Sequence, residues 1–253
     1  MSAAHARALC PLLLGLLAAA GALGCEVDGE TEVVHGTAVD HGAALFNDPG
    51  LAGTSFNDYA CATCHTVGAA GEGAELRAGA DLRGVTGRPS YWGGQELELL
   101  RAINDCLYYF MLRDAPLAAD DEQAEALYAY LASLPAGADG AEPVSFTPVR
   151  DVEDFPAGDA AAGGALYARA CRSCHGLTES GDGRLVAHAP ILPQQTLSEH
   201  PPPAYSDTDR RLVFVQKVRH GGFYGYGGQM PPFSLEKLSD EDLADLLTYL
   251  GLY

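Results

Sequence analysis

Apolar residues recur with the period of an amphipathic helix at the end of each half of the chain. The first such stretch covers residues 119–134, and the second covers residues 239–250. Ser239 and Asp242 stand at the start of the second stretch in the spacing of a capping pair. Each half is therefore predicted to close with a helix that packs one apolar face against a core.

A sequence repeat divides the chain into two similar parts. Leu45-Phe46 precedes the pentapeptide Cys61-Ala62-Thr63-Cys64-His65, and Leu166-Tyr167 precedes Cys171-Arg172-Ser173-Cys174-His175. The segment between the copies is rich in Ala, Gly, Pro and acidic residues and has no helical period, which indicates a linker. We expect an all-α fold with the following division: domain 1 at 41–136, a linker at 137–158 and domain 2 at 159–253.

The N-terminal residues 1–24 have the pattern of a signal peptide, with a short basic start followed by an apolar stretch and small residues. Ala22-Leu23-Gly24-Cys25 resembles a bacterial lipobox, so Cys25 is the predicted lipidation site. Cleavage after Ala22 by the ordinary signal peptidase is the alternative. Residues 25–40 are predicted to form an acidic tether. We expect an extracytoplasmic, periplasmic protein that meets a membrane only through this lipid anchor.

The chain is strongly acidic, with 34 Asp and Glu residues against 15 Lys and Arg residues and a formal net charge of -19. This charge repels phosphate backbones, so nucleic acid is not an expected partner. A third helix is predicted over residues 207–220, with Gly221 ending it. This helix carries four basic residues: Arg210, Arg211, Lys217 and Arg219. We interpret them as one solvated helix side, and a charged docking face is the alternative.

Four of the seven cysteines belong to two Cys-x-x-Cys-His pentapeptides. This pentapeptide is the attachment signature of c-type haem, because two thiols add to the vinyl groups and the adjacent histidine is held beneath the iron. Zinc binding and disulfide formation compete with this interpretation, but the two pairs lie in separate repeats and each has its own histidine. Two covalently bound haems are therefore expected. The expected residues are, for attachment, Cys61, Cys64, Cys171 and Cys174, and, as proximal iron ligands, His65 and His175.

Further motifs resemble those of class I cytochromes c over most of residues 41–253. Residues 81–88 are similar to the family's Asn-Leu-x-Gly-x-x-Gly-Arg stretch, and residues 228–233 are similar to its Met-Pro loop. The resemblance implies two tandem cytochrome c-like helical domains in which a proline carbonyl orients the proximal histidine. Pro190 has this place in domain 2, and Ala80 has it in domain 1. The resemblance also implies propionate contacts from three candidates, of which the last has a core position as its alternative: Arg88, Tyr91 and Trp92.

The sixth ligand of each iron is expected to be a methionine, whose thioether favours the reduced state. Only Met111 and Met230 remain once Met1 is removed. Met230 lies in the Met-Pro stretch and is the expected ligand of haem 2, the haem of domain 2. Met111 has the equivalent place in the repeat and is the expected ligand of haem 1, with a packed core methionine as the alternative. Cys106 is an alternative ligand of haem 1.

The segment around Cys106 resembles the dihaem thiosulfate dehydrogenases, whose catalytic haem has a histidine and a cysteine as axial ligands. Cys106 would then be catalytic at haem 1, and a buried thiol without a role is the alternative. Leu45–Pro49 is similar to the opening of the dihaem cytochrome c peroxidases, a less favoured family. The main expectation is a non-enzymatic electron carrier between redox proteins of the cell envelope, with Fe(III)/Fe(II) cycling at both haems. A thiosulfate-oxidising enzyme is the alternative.

Overall fold

The computed structural model describes residues 36–69, 71, 74–136, 142, 144–147, 149, 151–221 and 229–253. These residues form helices and loops without a β-strand, which confirms the all-α prediction. In the described part of the chain the helices are α1 Ala38–Phe46, α2 Cys61–Cys64, α3 Leu99–Tyr109, α4 Glu122–Ser133, α5 Ala160–Ala170, α6 Arg172–His175, α7 Gln194–Glu199, α8 Asp207–His220 and α9 Asp240–Tyr249. Short 3-10 turns lie at Pro49–Ala52, Val85–Gly87 and Trp92–Gly94.

The predicted signal peptide, the lipidation site Cys25 and most of the tether lie outside the described residues. Helix α1 begins within the last residues assigned to the tether, because Thr37 caps it and exchanges hydrogen bonds with Asp40 in a capping box. None of the helices in the described ranges combines the length and the apolar character needed to cross a membrane.

Local capping signals set the starts of the helices in domain 2. Helix α8 spans the predicted residues and ends at Gly221, whose φ is 52°. Helix α9 starts after Ser239, whose hydroxyl accepts from the Asp242 amide at 3.0 Å.

In domain 1, helix α4 begins later than predicted, because the Asp121 carboxylate accepts from the Ala118 amide at 2.6 Å and holds the preceding residues in a turn.

In each domain the first helix crosses the last one at a glycine. Helix α1 packs against α4, and helix α5 packs against α9. A Cβ on Gly42 would stand 2.0 Å from the Ala126 carbonyl oxygen, and a Cβ on Gly163 would stand 2.0 Å from the Asp245 carbonyl oxygen. An aromatic pair supports each crossing, with ring centroids 5.4 Å apart for Phe46–Tyr130 and 5.6 Å apart for Tyr167–Tyr249. The backbones of these helices are therefore in direct contact.

Each domain has its own apolar core, and each also packs residues into the core of the other. Val186, which is 5% exposed, belongs to the core of domain 1, and Leu76 packs against the core of domain 2. The rings of Phe56 and His188 stack across the boundary with centroids 4.3 Å apart. The two domains therefore share apolar surface rather than meeting only through the linker.

Arg219 is 1% exposed, so the prediction that it lies on a solvated or docking side of α8 is wrong. Its guanidinium donates to the Leu238 carbonyl oxygen at 2.7 Å and pairs with Asp240 at 2.6 Å. Arg211 on the same helix pairs with Asp154 at 2.6 Å. These arginines bind groups within the protein because several carbonyls and carboxylates from distant segments surround them.

Replacing Gly163 with alanine is expected to destabilise the protein by about 2–3 kcal/mol, because the new Cβ meets main-chain atoms that cannot rotate away. Gly164→Ala is the matched control, since its Cβ would stand 3.1 Å from the Tyr249 ring, which can move. Alanine also favours the helix by up to about 1 kcal/mol. Guanidinium unfolding followed by circular dichroism measures both variants, and equal stability would contradict the backbone contact.

Candidate haem sites

The short helix α2 brings the predicted site residues of domain 1 to one cavity. His65 follows α2, and its amide donates to the Cys61 carbonyl oxygen at 2.9 Å, which closes the turn. Cys61, Cys64 and His65 line this space, cavity 1, together with Cys106 and Met111. Both alternatives for the distal ligand of haem 1 therefore lie in the same cavity as the attachment motif.

The equivalent turn in domain 2 lines a second space, cavity 2. The amide of His175 donates to the Cys171 carbonyl oxygen at 2.9 Å at the end of α6. Cys171, Cys174 and His175 line cavity 2 together with Met230. Gly228, the first residue of the predicted Met-Pro stretch, lies outside the described residues.

One backbone hydrogen bond orients each histidine. Nδ1 of His65 lies 2.8 Å from the carbonyl oxygen of Ala80, and Nδ1 of His175 lies 3.0 Å from that of Pro190. A carbonyl only accepts, so each Nδ1 carries the hydrogen. Burial lowers the pKa of both imidazoles, with the carbonyl contact opposing it, and both are therefore neutral. Within the described ranges neither Nε2 has a hydrogen-bond partner, which leaves this atom for a metal.

The cavity walls fit a haem. Burial raises the pKa of Cys61 to about 11 and that of Cys64 and Cys171 to about 12, so these thiols are neutral in apolar surroundings. Burial also raises the pKa of Cys106 well above its usual range. No three His, Cys, Asp or Glu side chains gather as metal ligands among the described residues. Two thiols and one imidazole in each apolar cavity match the attachment and proximal groups of a c-type haem.

Comparison with known families agrees with this geometry. The family model of cytochrome c matches residues 39–135, and the model described as cytochrome c oxidase, cbb3-type, subunit III matches residues 158–250. The chain therefore carries a cytochrome c domain followed by a cbb3-type cytochrome domain. Such domains transfer electrons at a covalently bound haem, which supplies the redox-active iron.

One solved structure similar to this chain is a thiosulfate dehydrogenase (TsdBA) from Marichromatium purpuratum in its as-isolated form. The identity is 18% and the TM-score is 0.39, and the alignment covers 88% of this chain and 48% of that one. The chain thus spans about half the length of that protein. No curated protein matches the sequence.

The two cytochrome c domains share the walls of their cavities. Four residues line both spaces: Tyr59, Cys64, Ala78 and Pro231. Tyr59 is 5% exposed, and burial raises its pKa well above the usual range, while its hydroxyl contacts the thiol of Cys174 and lies near that of Cys64. The second cysteines of the two attachment motifs are therefore close neighbours. The two motifs lie 110 residues apart, and no pattern in the sequence indicates this proximity.

The candidates for propionate contacts lie at cavity 1 but also support its loop. Arg88 donates through Nη2 to the Asp81 carbonyl oxygen at 2.7 Å, and the Tyr91 hydroxyl donates to the Val85 carbonyl oxygen at 3.0 Å. Trp92 lines the same cavity. These contacts hold the backbone of the loop that follows the attachment motif.

Asn57, which the sequence analysis missed, supports two segments that lead into the cavities. It is 5% exposed, and its Nδ2 donates to the Phe110 carbonyl oxygen at 2.9 Å and to the Gln229 side-chain oxygen at 3.3 Å. Phe110 directly precedes Met111, and Gln229 directly precedes Met230. One buried amide thus contacts both segments that carry the predicted distal methionines. No local pattern around Asn57 indicates this role.

Replacing Gly79 with alanine is expected to displace the ring of His65, because the added Cβ would stand 2.5 Å from its Cε1 and Nδ1 atoms. A protein with a single haem, attached in domain 2, is expected as the main species in intact-mass spectra. Ala80→Ser is the matched control, since it keeps the carbonyl that binds His65. If Gly79→Ala retains two haems and the unchanged visible spectrum, the contact does not constrain the histidine.

Replacing Asn57 with alanine is expected to lower the free energy of unfolding by about 1–3 kcal/mol, because a buried carbonyl loses its donor. The change also loosens the segments before both methionines, so the red absorption band of methionine-ligated ferric haem should weaken. Guanidinium unfolding and visible spectra measure these effects. Asp58→Ala, at the exposed neighbouring position, is the control and should change neither quantity. Matching losses in the two variants would argue against the role of Asn57.

Proposed function

We propose that the protein is a dihaem electron carrier of the cell envelope, in which electrons pass between two adjacent haems. The shared walls of cavities 1 and 2 carry this proposal, because they bring two complete attachment sets next to each other. Electron transfer is faster over shorter distances, so neighbouring sites allow one electron to enter through one domain and leave through the other.

The residues of the chain then have four roles. The four attachment cysteines hold the porphyrins, and His65 and His175 bind the irons through Nε2 from the proximal side. Met111 and Met230 bind them from the distal side, which favours the reduced state. The apolar walls exclude water, and this raises the energy of the more highly charged oxidised site. Burial of Met111, which is 4% exposed, supports its assignment.

A thiosulfate-oxidising enzyme is the second candidate, because Cys106 lines the same cavity as the domain 1 attachment motif. The Met111 amide donates to the Cys106 carbonyl oxygen at 3.3 Å, so the two residues lie one helical turn apart at the end of α3. Only one of their side chains can bind the iron at a time. In the second candidate Cys106 is the distal ligand and the residue that meets the sulfur substrate.

The location and partners follow from the sequence expectations. We propose that the mature chain is periplasmic, held to a membrane through a lipid on Cys25, and exchanges electrons with other redox proteins of the envelope. Haem attachment to paired cysteines supports an extracytoplasmic location, as cytochrome c domains are typically found there.

Two variants distinguish the candidates in the mature dihaem protein made in a host that attaches haem. If the protein is a carrier, Met111→Leu should remove about half of the red ferric band, and Cys106→Ala should leave the band and both reduction potentials unchanged. If it is an enzyme, Cys106→Ala should abolish reduction of the protein by thiosulfate. Intact mass, visible spectra and reduction by thiosulfate are measured for each. A mature chain with fewer than two haems would refute both candidates.

A further inference from the structure

The geometry points to Lys237 of domain 2 as the residue that pairs with a propionate carboxylate of haem 1. This inference rests on the proposed function only in requiring a haem in cavity 1. It assigns a cofactor contact to a residue that lies outside the domain holding the haem.

Lys237 lines cavity 1 although it belongs to the segment between Met230 and α9. Pro231, Pro232 and Ser234 of the same segment line cavity 1 as well. Domain 2 thus supplies a continuous piece of the wall around the haem 1 site, and Lys237 is the cation in that piece.

The backbone around Lys237 is held firmly. Its amide donates to the Ser234 carbonyl oxygen at 3.1 Å, and the Leu238 amide donates to the same oxygen at 3.0 Å. The buried guanidinium of Arg219 binds the Leu238 carbonyl oxygen at 2.7 Å from the other side. The Lys237 side chain therefore extends into cavity 1 from a backbone segment that hydrogen bonds hold in place.

The ammonium group of Lys237 has no counter-ion among the residues that the structure describes. Across the described ranges its side chain makes no hydrogen bond or ion pair, and Asp81 is the carboxylate whose charge acts on it. Asp81 is already engaged, since Arg83 donates to its carboxylate at 2.8 Å through Nε. Partial burial of Lys237 lowers its pKa, because the ammonium group loses part of its hydration, and the charge of Asp81 opposes this shift.

The cofactor carries the missing charge. A haem is apolar around its rim except for two propionate carboxylates, and cavity 1 is lined mainly by apolar side chains. A carboxylate beside Lys237 would offset the desolvation of both groups through a charge-assisted hydrogen bond. Arg88 lines the same cavity but uses Nη2 to bind backbone carbonyls of the loop.

This pairing makes the haem 1 site depend on domain 2. The positive charge favours the reduced iron, because it lowers the energy of an added electron. The potential of haem 1 should therefore be set partly by a residue of the other domain, and domain 1 alone should not reproduce it.

The test uses redox titration of the mature dihaem protein and of four variants: Lys237→Met, Lys237→Arg, the control Arg101→Gln and the reference variant Met230→His. Lys237→Met should raise the oxidised-to-reduced ratio of haem 1 at a fixed potential about tenfold, which is a downward shift of about 59 mV. Lys237→Arg should restore the potential. Arg101 pairs with Glu96 at the surface and does not line cavity 1, so its loss should leave the potential unchanged. Met230→His replaces the expected ligand of haem 2, so the redox transition that shifts in this variant belongs to haem 2.

Resonance Raman spectra provide a readout that does not depend on the potential, since loss of the pair should shift a propionate bending mode. The inference is overturned if dihaem Lys237→Met has the wild-type potential and propionate mode. A second result would also overturn the inference. Thiosulfate, added at constant ionic strength, would shift the haem 1 potential of the wild type but not that of Lys237→Met. Lys237 would then bind an exchangeable oxyanion rather than a propionate. Loss of haem from the wild-type chain would instead refute the proposed function.

Discussion

The contact between the first and last helices of each domain determines the rest of the architecture. Only a residue without a side chain allows the main chain of α5 to touch that of α9 at Gly163, and Gly42 has the same role between α1 and α4. The same closing helices supply cavity walls through Leu127 in domain 1 and Leu247 in domain 2. The glycine contact therefore positions helices that also line the two cavities.

The second level of organisation is the boundary between the domains. Each cavity is completed by residues of the other domain, and the attachment motifs adjoin through Tyr59. Asn57, two residues earlier, contacts the segments that precede both predicted distal methionines. A short stretch ahead of the first motif therefore links the two sites. Such a link suits a protein in which electrons pass from one site to the other.

Two cations of domain 2, the buried Arg219 and the partly buried Lys237, carry the inference that domain 2 influences the site in domain 1. Arg219 is enclosed by carbonyl oxygens of the segment that follows Met230, and it fixes the chain from which Lys237 reaches cavity 1. Arg219 makes four donor contacts within the protein, whereas the Lys237 side chain makes none to the described part of the chain. Both residues carry a positive charge, and they differ in the hydrogen-bond partners that the protein offers them. A cation without an internal partner at a cofactor site is suited to pair with the cofactor.

The sequence by itself determined the features that depend on neighbours along the chain. Periodicity and caps defined α8 and α9, and the pentapeptides brought two thiols and an imidazole together because the five residues are contiguous. The orienting carbonyl needed no proline, since the backbone of Ala80 supplies the same acceptor as that of Pro190. Only the tertiary structure decided that Arg219 is buried, that Lys237 lines cavity 1 and that Asn57 contacts the segments before both methionines. Their partners lie in segments far away in sequence, and which segments meet depends on the packing of the whole core rather than on any local pattern.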